Sequence, residues 1–294
     1  MRIGIFTERK TVDELVADIR DAAERGFESA WVPQIFGLDA MTALAVVARE
    51  VPEISLGTAV VPTYPRHPSM IAAQALTLNQ ISGGRFSLGI GLSHQIVIEG
   101  MFAMSYDKPV RHLRDYLSIL MPLAHGEASS YEGETLTGKV ALEIPDATPL
   151  PVLVAALGAQ MLRVAGTRTE GTITWMTGPE TIESHVAPAI STAAADAGRL
   201  EPRIVSALPV CVTDDEAGRR EEAGKNFAIY GHLPSYRAML DREGVAGPAD
   251  VALVGTAAQV RAGIERMFEA GTTEFVAVPF ANRDETLDVL QDLL

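Results

Sequence analysis

Short apolar runs alternate along this chain with longer stretches in which apolar residues return every three or four positions. The runs are Arg2–Phe6, Ser29–Pro33, Ile54–Val61, Phe86–Gly91, Val152–Ala156, Thr172–Met176, Ile204–Val212 and Phe275–Phe280. Their length and β-branched content predict strands, and the 3.6-residue period between them predicts amphipathic helices. Eight such strands, each followed by a helix, specify a parallel sheet closed into a (β/α)8 TIM barrel rather than a sandwich or a bundle.

Local chemistry supports the boundaries. Thr11 and Glu14 form a capping-box pair ahead of Val12, Leu15, Val16, Ile19 and Ala23, and Gly26 ends that helix. Pro68 suits the first turn of a third helix running to Ser82, which Gly83-Gly84 break. Further helices are expected near Glu180–Ala197, Thr256–Ala270 and Arg283–Leu294. Three stretches exceed a minimal barrel. Residues 93–110 and 127–150 are too long for ordinary connections, the second alternating like a hairpin, and 214–248 reads as mostly helix with a charged start. Long loops on a barrel are usually lids or binding loops. Without a linker or an internal repeat, residues 1–294 are expected to form a single barrel domain.

Composition changes this picture little: 47% of residues are hydrophobic and 21% charged, which suits a large buried core. The formal net charge of -14 disfavours nucleic acid or an anionic membrane as a partner, so a small anionic ligand needs a local basic patch. The apolar run at the N-terminus is too short for a signal peptide or a spanning helix, and a cytoplasmic protein is expected. The single cysteine, Cys211, reads as a buried strand thiol. The histidines at 67, 94, 112, 125, 185 and 232 lack metal-site spacing.

Barrel enzymes carry their chemistry at the carboxyl ends of the strands, and four segments there stand out together. They are FESAWVPQIFGLDAMTALAVVAR at 27–49, ISLGTAVVPTYPRHPSMIAAQALTLNQISGGRFSLGIGLSH at 54–94, PVLVAALGAQMLRVAG at 151–166 and GTITWMTGP at 171–179. In this order and spacing the chain resembles the luciferase-like monooxygenase superfamily, and within it the oxidoreductases that use the deazaflavin coenzyme F420. The resemblance implies a luciferase-like TIM barrel, coenzyme F420 with FMN as the alternative cofactor, hydride transfer to or from a small-molecule substrate, and a homodimer. It also implies a cis peptide at Ala59–Val60 behind the tricyclic ring, and cofactor contacts from Leu92 and Ser93. His94 stands where the family carries an acid, and it can still act as general acid or base. Gln34 stands where the family has proton-handling residues; it can hydrogen-bond a ring or substrate oxygen but cannot trade a proton at neutral pH. Leu157, Gly158 and Ala159 match the family's small-residue turn, whose amides reach the cofactor phosphate at a helix start, and Gly178, before Pro179, is a second such turn. Arg66, His67, Arg163 and Arg168 are candidates for the coenzyme's acidic tail, and Tyr64 and Tyr106 for proton transfer. The alternatives are an FMN-dependent monooxygenase using molecular oxygen and a flavin- or deazaflavin-binding protein without turnover. A barrel lyase or aldolase would want a lysine or metal cluster at the strand ends, which the sequence does not offer.

Overall fold

A computed structural model describes residues 1–146 and 148–294. In chain order the strands are β1 (Ile3–Phe6), β2 (Ser29–Val32), β3 (Ser55–Thr58), β4 (Val61–Pro62), β5 (Phe86–Gly91), β6 (Ser129–Glu132), β7 (Thr137–Val140), β8 (Val152–Ala155), β9 (Gly171–Trp175), β10 (Arg203–Val212), β11 (Leu253–Gly255) and β12 (Glu274–Pro279). Parallel pairing runs β1-β2-β3-β5-β8-β9-β10-β12 and returns to β1, closing an eight-stranded barrel. Each of the eight predicted strands lies in this wall. β11 was not foreseen: three residues pairing with the far end of β10 are too few for a periodic signal.

The predicted Ile54–Val61 strand divides into β3 and β4, with a cis peptide bond between Ala59 and Val60. Backbone pairing of β3 with β5 stops at Gly57 opposite Ser87, and β4 resumes it at Val61 opposite Ile90. Thr58 fills the gap with its side chain. Its hydroxyl donates to the Gly89 carbonyl at 2.8 Å and accepts from the Gly89 amide at 2.9 Å. Position 89 has no room for a side chain, because a Cβ there would sit 1.9 Å from the Thr58 carbonyl oxygen.

Two apolar clusters follow from strand alternation. Outward residues such as Ile3, Ile5, Leu56, Leu88 and Val152 pack under the helices; Trp31, Leu153, Ile173, Val205 and Val276 fill the barrel. Trp31 lies so close to β3 that a Cβ on Gly57 would be 2.3 Å from its ring. Below it Glu274, 1% exposed, accepts from the Ser29 hydroxyl at 2.6 Å and the Trp31 indole at 2.8 Å, and pairs with Arg203 at 2.9 Å and Arg2 at 3.0 Å. A carboxylate so paired is a tolerable buried charge, and the floor is plugged. The ligand end must therefore be the opposite mouth.

The helices obey their local signals. Thr11 and Glu14 form the expected capping box on helix Val12–Glu24, and Gly26 follows at φ +90°. The 127–150 segment contains the β6-β7 hairpin, and 214–248 contains helices Glu216–Asn226 and Pro234–Glu243. The 93–110 segment is less open than expected, since it holds helix Gln95–Gly100. Cys211 is buried in β10. Among the described residues no helix is long and apolar enough to cross a membrane.

Candidate active site

The strand ends build the mouth. At β4 and β5, Val60 packs over Gly91, where a Cβ would lie 2.6 Å from the valine Cγ2 and 3.3 Å from the Ala155 Cβ. Val60 and Ala155 thus meet in a low apolar shelf, and Ala59, next to Val60, packs with it on the residues that fill the barrel. Ala155 is exposed although the rest of β8 is buried, so solvent reaches this shelf from above. Immediately after β5 the chain turns sharply through Ser93 at φ +59°, and after β9 it turns through Met176 at φ +53°. Left-handed backbone is unfavourable for non-glycine residues and concentrates at functional sites.

Beside the shelf, β8 leads through Ala156 and Leu157 to Gly158, the N-cap of helix Ala159–Arg168. The His185 Nε2 bonds the Leu157 carbonyl at 2.8 Å and fixes this turn. No side chain caps the helix, and a Cβ on Gly158 would meet nothing within 4 Å. Unfilled amides at an open helix start favour an anion. Gly178 differs, and the expectation of a second phosphate turn is corrected there. Its helix start already holds the Glu243 carboxylate, which accepts from the amides of Glu180 at 3.2 Å and Thr181 at 2.8 Å.

Gln34 is also partly committed. Its Oε1 accepts from the Ala40 amide at 2.7 Å, helping to cap helix Ala40–Glu50, which leaves the Nε2 hydrogens for a ligand. The next residues, Ile35 and Phe36, are 51% and 63% exposed.

Aromatic side chains line two sides of the mouth. On one side Phe6 stacks with Trp175 at 6.5 Å between centroids, Trp175 meets Tyr230 edge-on at 5.7 Å, Tyr230 meets Tyr236 at 5.0 Å, and Tyr236 lies 5.8 Å from His94. This row joins the 93–110 segment to the 214–248 insertion. On the other side Tyr64 stacks between Tyr106 at 5.1 Å and His112 at 3.9 Å. Tyr106 donates to the Ser93 carbonyl at 3.3 Å, tying the tip of the segment to its base. Only Tyr64, Tyr106 and His94 were singled out from sequence. The other rings come from insertions and strand ends distant in the chain, and no short motif marks them.

The environment sorts the titratable groups. Burial lowers the His94 pKa below its ordinary value, so the imidazole is neutral at pH 7 and able to accept a proton. Burial raises Tyr64 and Tyr106, which therefore remain hydroxyl donors. The Tyr64 hydroxyl is buried with no hydrogen-bond partner among the described residues. His112 is depressed to about 4 by burial, against the opposing pull of Asp115, and its Nε2 lies 3.0 Å from the Thr63 hydroxyl.

The expected tail-binding cations do not form one patch. Arg66 pairs with Asp39, while His67 bonds the Ser69 hydroxyl at 2.7 Å and the Thr137 carbonyl at 3.0 Å. Arg163 and Arg168 lie elsewhere, lining a 310 Å³ cavity with Arg111 and Arg114 between helices Pro109–Ala124 and Ala159–Arg168. The i, i+3 spacing of Arg111 and Arg114 on helix Pro109–Ala124 could have signalled this.

Comparison with known proteins agrees with the barrel. The sequence pattern of the luciferase-like monooxygenases matches residues 1–274. A 5,10-methylenetetrahydromethanopterin reductase of Methanolobus tindarius is 27% identical over 87% of this chain and 79% of its own. A putative coenzyme F420-dependent oxidoreductase of Mycobacterium tuberculosis is 28% identical over 74% of this chain and 67% of its own. Among solved structures, the coenzyme F420-dependent tetrahydromethanopterin reductase from Methanopyrus kandleri superposes with a TM-score of 0.83 at 22% identity, covering 99% of this chain and 97% of that one. An FMN complex, the oxygenating constituent of 3,6-diketocamphane monooxygenase from Pseudomonas putida, gives 0.79 at 19% identity over 99% and 96% of the two chains.

Proposed function

Because the chain belongs to the luciferase-like monooxygenase family, we propose that it is an oxidoreductase that binds a deazaflavin of the coenzyme F420 type at the barrel mouth. The observation that carries this reading is the adjacency of the apolar Ala59–Val60–Ala155 shelf to the open helix start at Gly158. A flat tricyclic ring ending in a phosphate has those two faces to satisfy. The orphan Tyr64 hydroxyl fits a polar group on such a ligand. When bound, the deazaflavin would supply the carbon centre that exchanges a hydride with a small organic substrate.

The chain's own residues do the rest. Val60 and Ala59 back one ring face, while the amides after Gly158 and the turn held by His185 receive the phosphate. Ser93 and Leu92 border the ring, and the Gln34 Nε2 is available to a ring or substrate oxygen. Tyr236 and Tyr230 with Trp175 wall the substrate side with apolar rings, and the 93–110 segment excludes water. His94, neutral at pH 7, takes the proton released when the substrate gives up its hydride, and in the reverse direction its protonated form returns it. As in the family, a second copy of the chain is part of this reading.

Two features favour the deazaflavin over FMN: the sequence relatives named above, and the basic groove next to the helix start. The FMN reading is supported by solved structures such as the Pseudomonas one, which shares the fold at 19% identity, and a riboflavin lyase with a modified FMN, which shares it at 14%. The test is turnover. Without oxygen, reduced deazaflavin should be oxidised by a member of a panel of ketones, imines and enones, or oxidised deazaflavin reduced by a member of a panel of alcohols. His94→Ala should slow that reaction by about a hundredfold or more while cofactor affinity stays within about threefold. Where His94 acts as base, the wild-type rate should fall in acid, with a midpoint below the ordinary histidine value, and the variant should lack that limb. An unchanged rate in the variant removes His94 from the chemistry.

A further inference from the structure

The chain has two tryptophans, on strands β2 and β9, and the structure treats their indole N–H groups differently. In the floor, the Trp31 Nε1 donates to the Glu274 carboxylate at 2.8 Å and lies 3.1 Å from the Ser29 hydroxyl. At the mouth, the Trp175 Nε1 is buried with no hydrogen-bond partner among the described residues. It lies near enough to the Tyr230 hydroxyl to oppose the burial that raises that phenol's pKa, yet outside hydrogen-bond geometry. A buried indole N–H ordinarily finds an acceptor. One left without a partner in the protein, at the open end of a barrel, is matched by an acceptor that a ligand brings.

The surroundings of this donor restrict what the acceptor can belong to. Phe6, Trp175 and Val278 pack, together with Ala59 and Val60, on the side chains that fill the barrel, so the mouth has an apolar floor. Trp175 stands on it three strands round the barrel from Ala59 and Val60. Phe227 meets Trp175 edge-on at 5.8 Å and Phe280 at 5.7 Å, which extends the apolar wall outward. The titratable members of the wall are uncharged at pH 7, since burial keeps Tyr230 and Tyr236 as phenols and His94 as a neutral imidazole. The arginines that follow the first and last barrel strands, Arg9 and Arg283, both bond Asp18, at 2.6 and 2.7 Å. The exposed Glu8 carboxylate adds negative potential at Tyr230. An anion brought here would meet apolar rings and a like charge, whereas an uncharged molecule loses little by burial.

We propose that Trp175 is the specificity-determining contact for the substrate, its N–H donating to the oxygen of an uncharged carbonyl compound, or of the corresponding alcohol, whose ring-sized hydrocarbon body lies on Phe6, Val278 and Tyr230. This deepens the cofactor reading above and rests on it for the hydride partner. A cofactor ring backed by Ala59 and Val60 leaves its other face toward the rest of the apolar floor, and the substrate fills the space between that face and the Trp175 wall. Ketone and alcohol oxygens both accept a hydrogen bond, so the contact serves either direction of hydride transfer. Compounds that carry a carboxylate or phosphate beside the carbonyl are disfavoured, because the wall offers such a group no cation.

The experiment compares three probes with one aromatic body: acetophenone; benzoylformate, which adds a carboxylate; and α-methylstyrene, which replaces the carbonyl oxygen by carbon. Protein labelled with nitrogen-15 at tryptophan gives one indole N–H signal for each of its two tryptophans, and the signal lost in Trp175→Phe is that of Trp175. In protein loaded with oxidised deazaflavin, acetophenone should move the Trp175 proton signal downfield and leave Trp31 in place, while α-methylstyrene should not move it downfield. Benzoylformate should bind at least about tenfold more weakly than acetophenone. In turnover, Trp175→Phe, which keeps an aromatic ring and removes the donor, should raise KM for acetophenone by about tenfold with a smaller change in kcat, while deazaflavin affinity read by fluorescence quenching stays within about twofold. A Trp175 signal unmoved by saturating acetophenone, benzoylformate bound as tightly as acetophenone, or no binding of acetophenone would each overturn the proposal and leave the cofactor reading standing. Absence of deazaflavin quenching by wild type would overturn the cofactor reading, and the same titration of the free protein would still decide the Trp175 contact.

Discussion

His112 has an ordinary histidine's identity but an unusual environment: it is 6% exposed and stacked on Tyr64, and burial holds its pKa near 4. A histidine that is neutral when folded but titrates normally when unfolded takes up its proton only in the unfolded chain between about pH 6.5 and 4. Stability must then fall as pH drops through that window, by up to about 3 kcal/mol for this one group. Urea unfolding at pH 7 and pH 5 should show a smaller acid loss in His112→Gln than in wild type, and equal losses would remove His112 as the cause. The same scale shows what packing adds at Gln34 and Gly178. Both sit at strand ends, as the pattern indicates, but each meets a helix start whose capping partner, the Ala40 amide or the Glu243 carboxylate, is settled only by packing. At Gly158 the helix start has no such partner and stays open.

At the scale of elements, legibility follows locality. The eight barrel strands, the Thr11 capping box and the hairpin within 127–150 each depend on neighbours a few residues apart, and the structure contains all of them. The 214–248 insertion reads as helix, but nothing local says where it docks. Glu243 supplies the answer by reaching from the end of helix Pro234–Glu243 to amides more than sixty residues earlier in the chain. That bond holds Tyr236 and its neighbours over the mouth, opposite His94. Glu243→Ala should therefore cost about 1 kcal/mol of stability, as for loss of a helix cap, and should speed amide exchange in helix 234–243 more than in the barrel strands. Glu243→Gln, which keeps one acceptor, should lie between. Uniform exchange across the chain would show that the insertion is held by its apolar contacts instead.

For the whole molecule, the barrel puts its charged plug and its open end at opposite faces. Glu274 with Arg203 and Arg2 seals the floor, so the shelf, the aromatic walls and the open helix start all converge at the strand ends. That convergence was legible as a place because barrel topology dictates it. The aromatic rows and the arginine groove were not, since each is assembled from helices and insertions whose facing surfaces are fixed only by the closed fold. The overall acidity also misleads if read as an average: it hides five cations gathered beside the mouth. The most direct measurement is a parallel titration of purified protein with oxidised coenzyme F420 and with FMN at low salt. Deazaflavin fluorescence should be quenched with a Kd at least about tenfold below that for FMN, whereas tighter binding of FMN would contradict the assignment of the mouth to a deazaflavin.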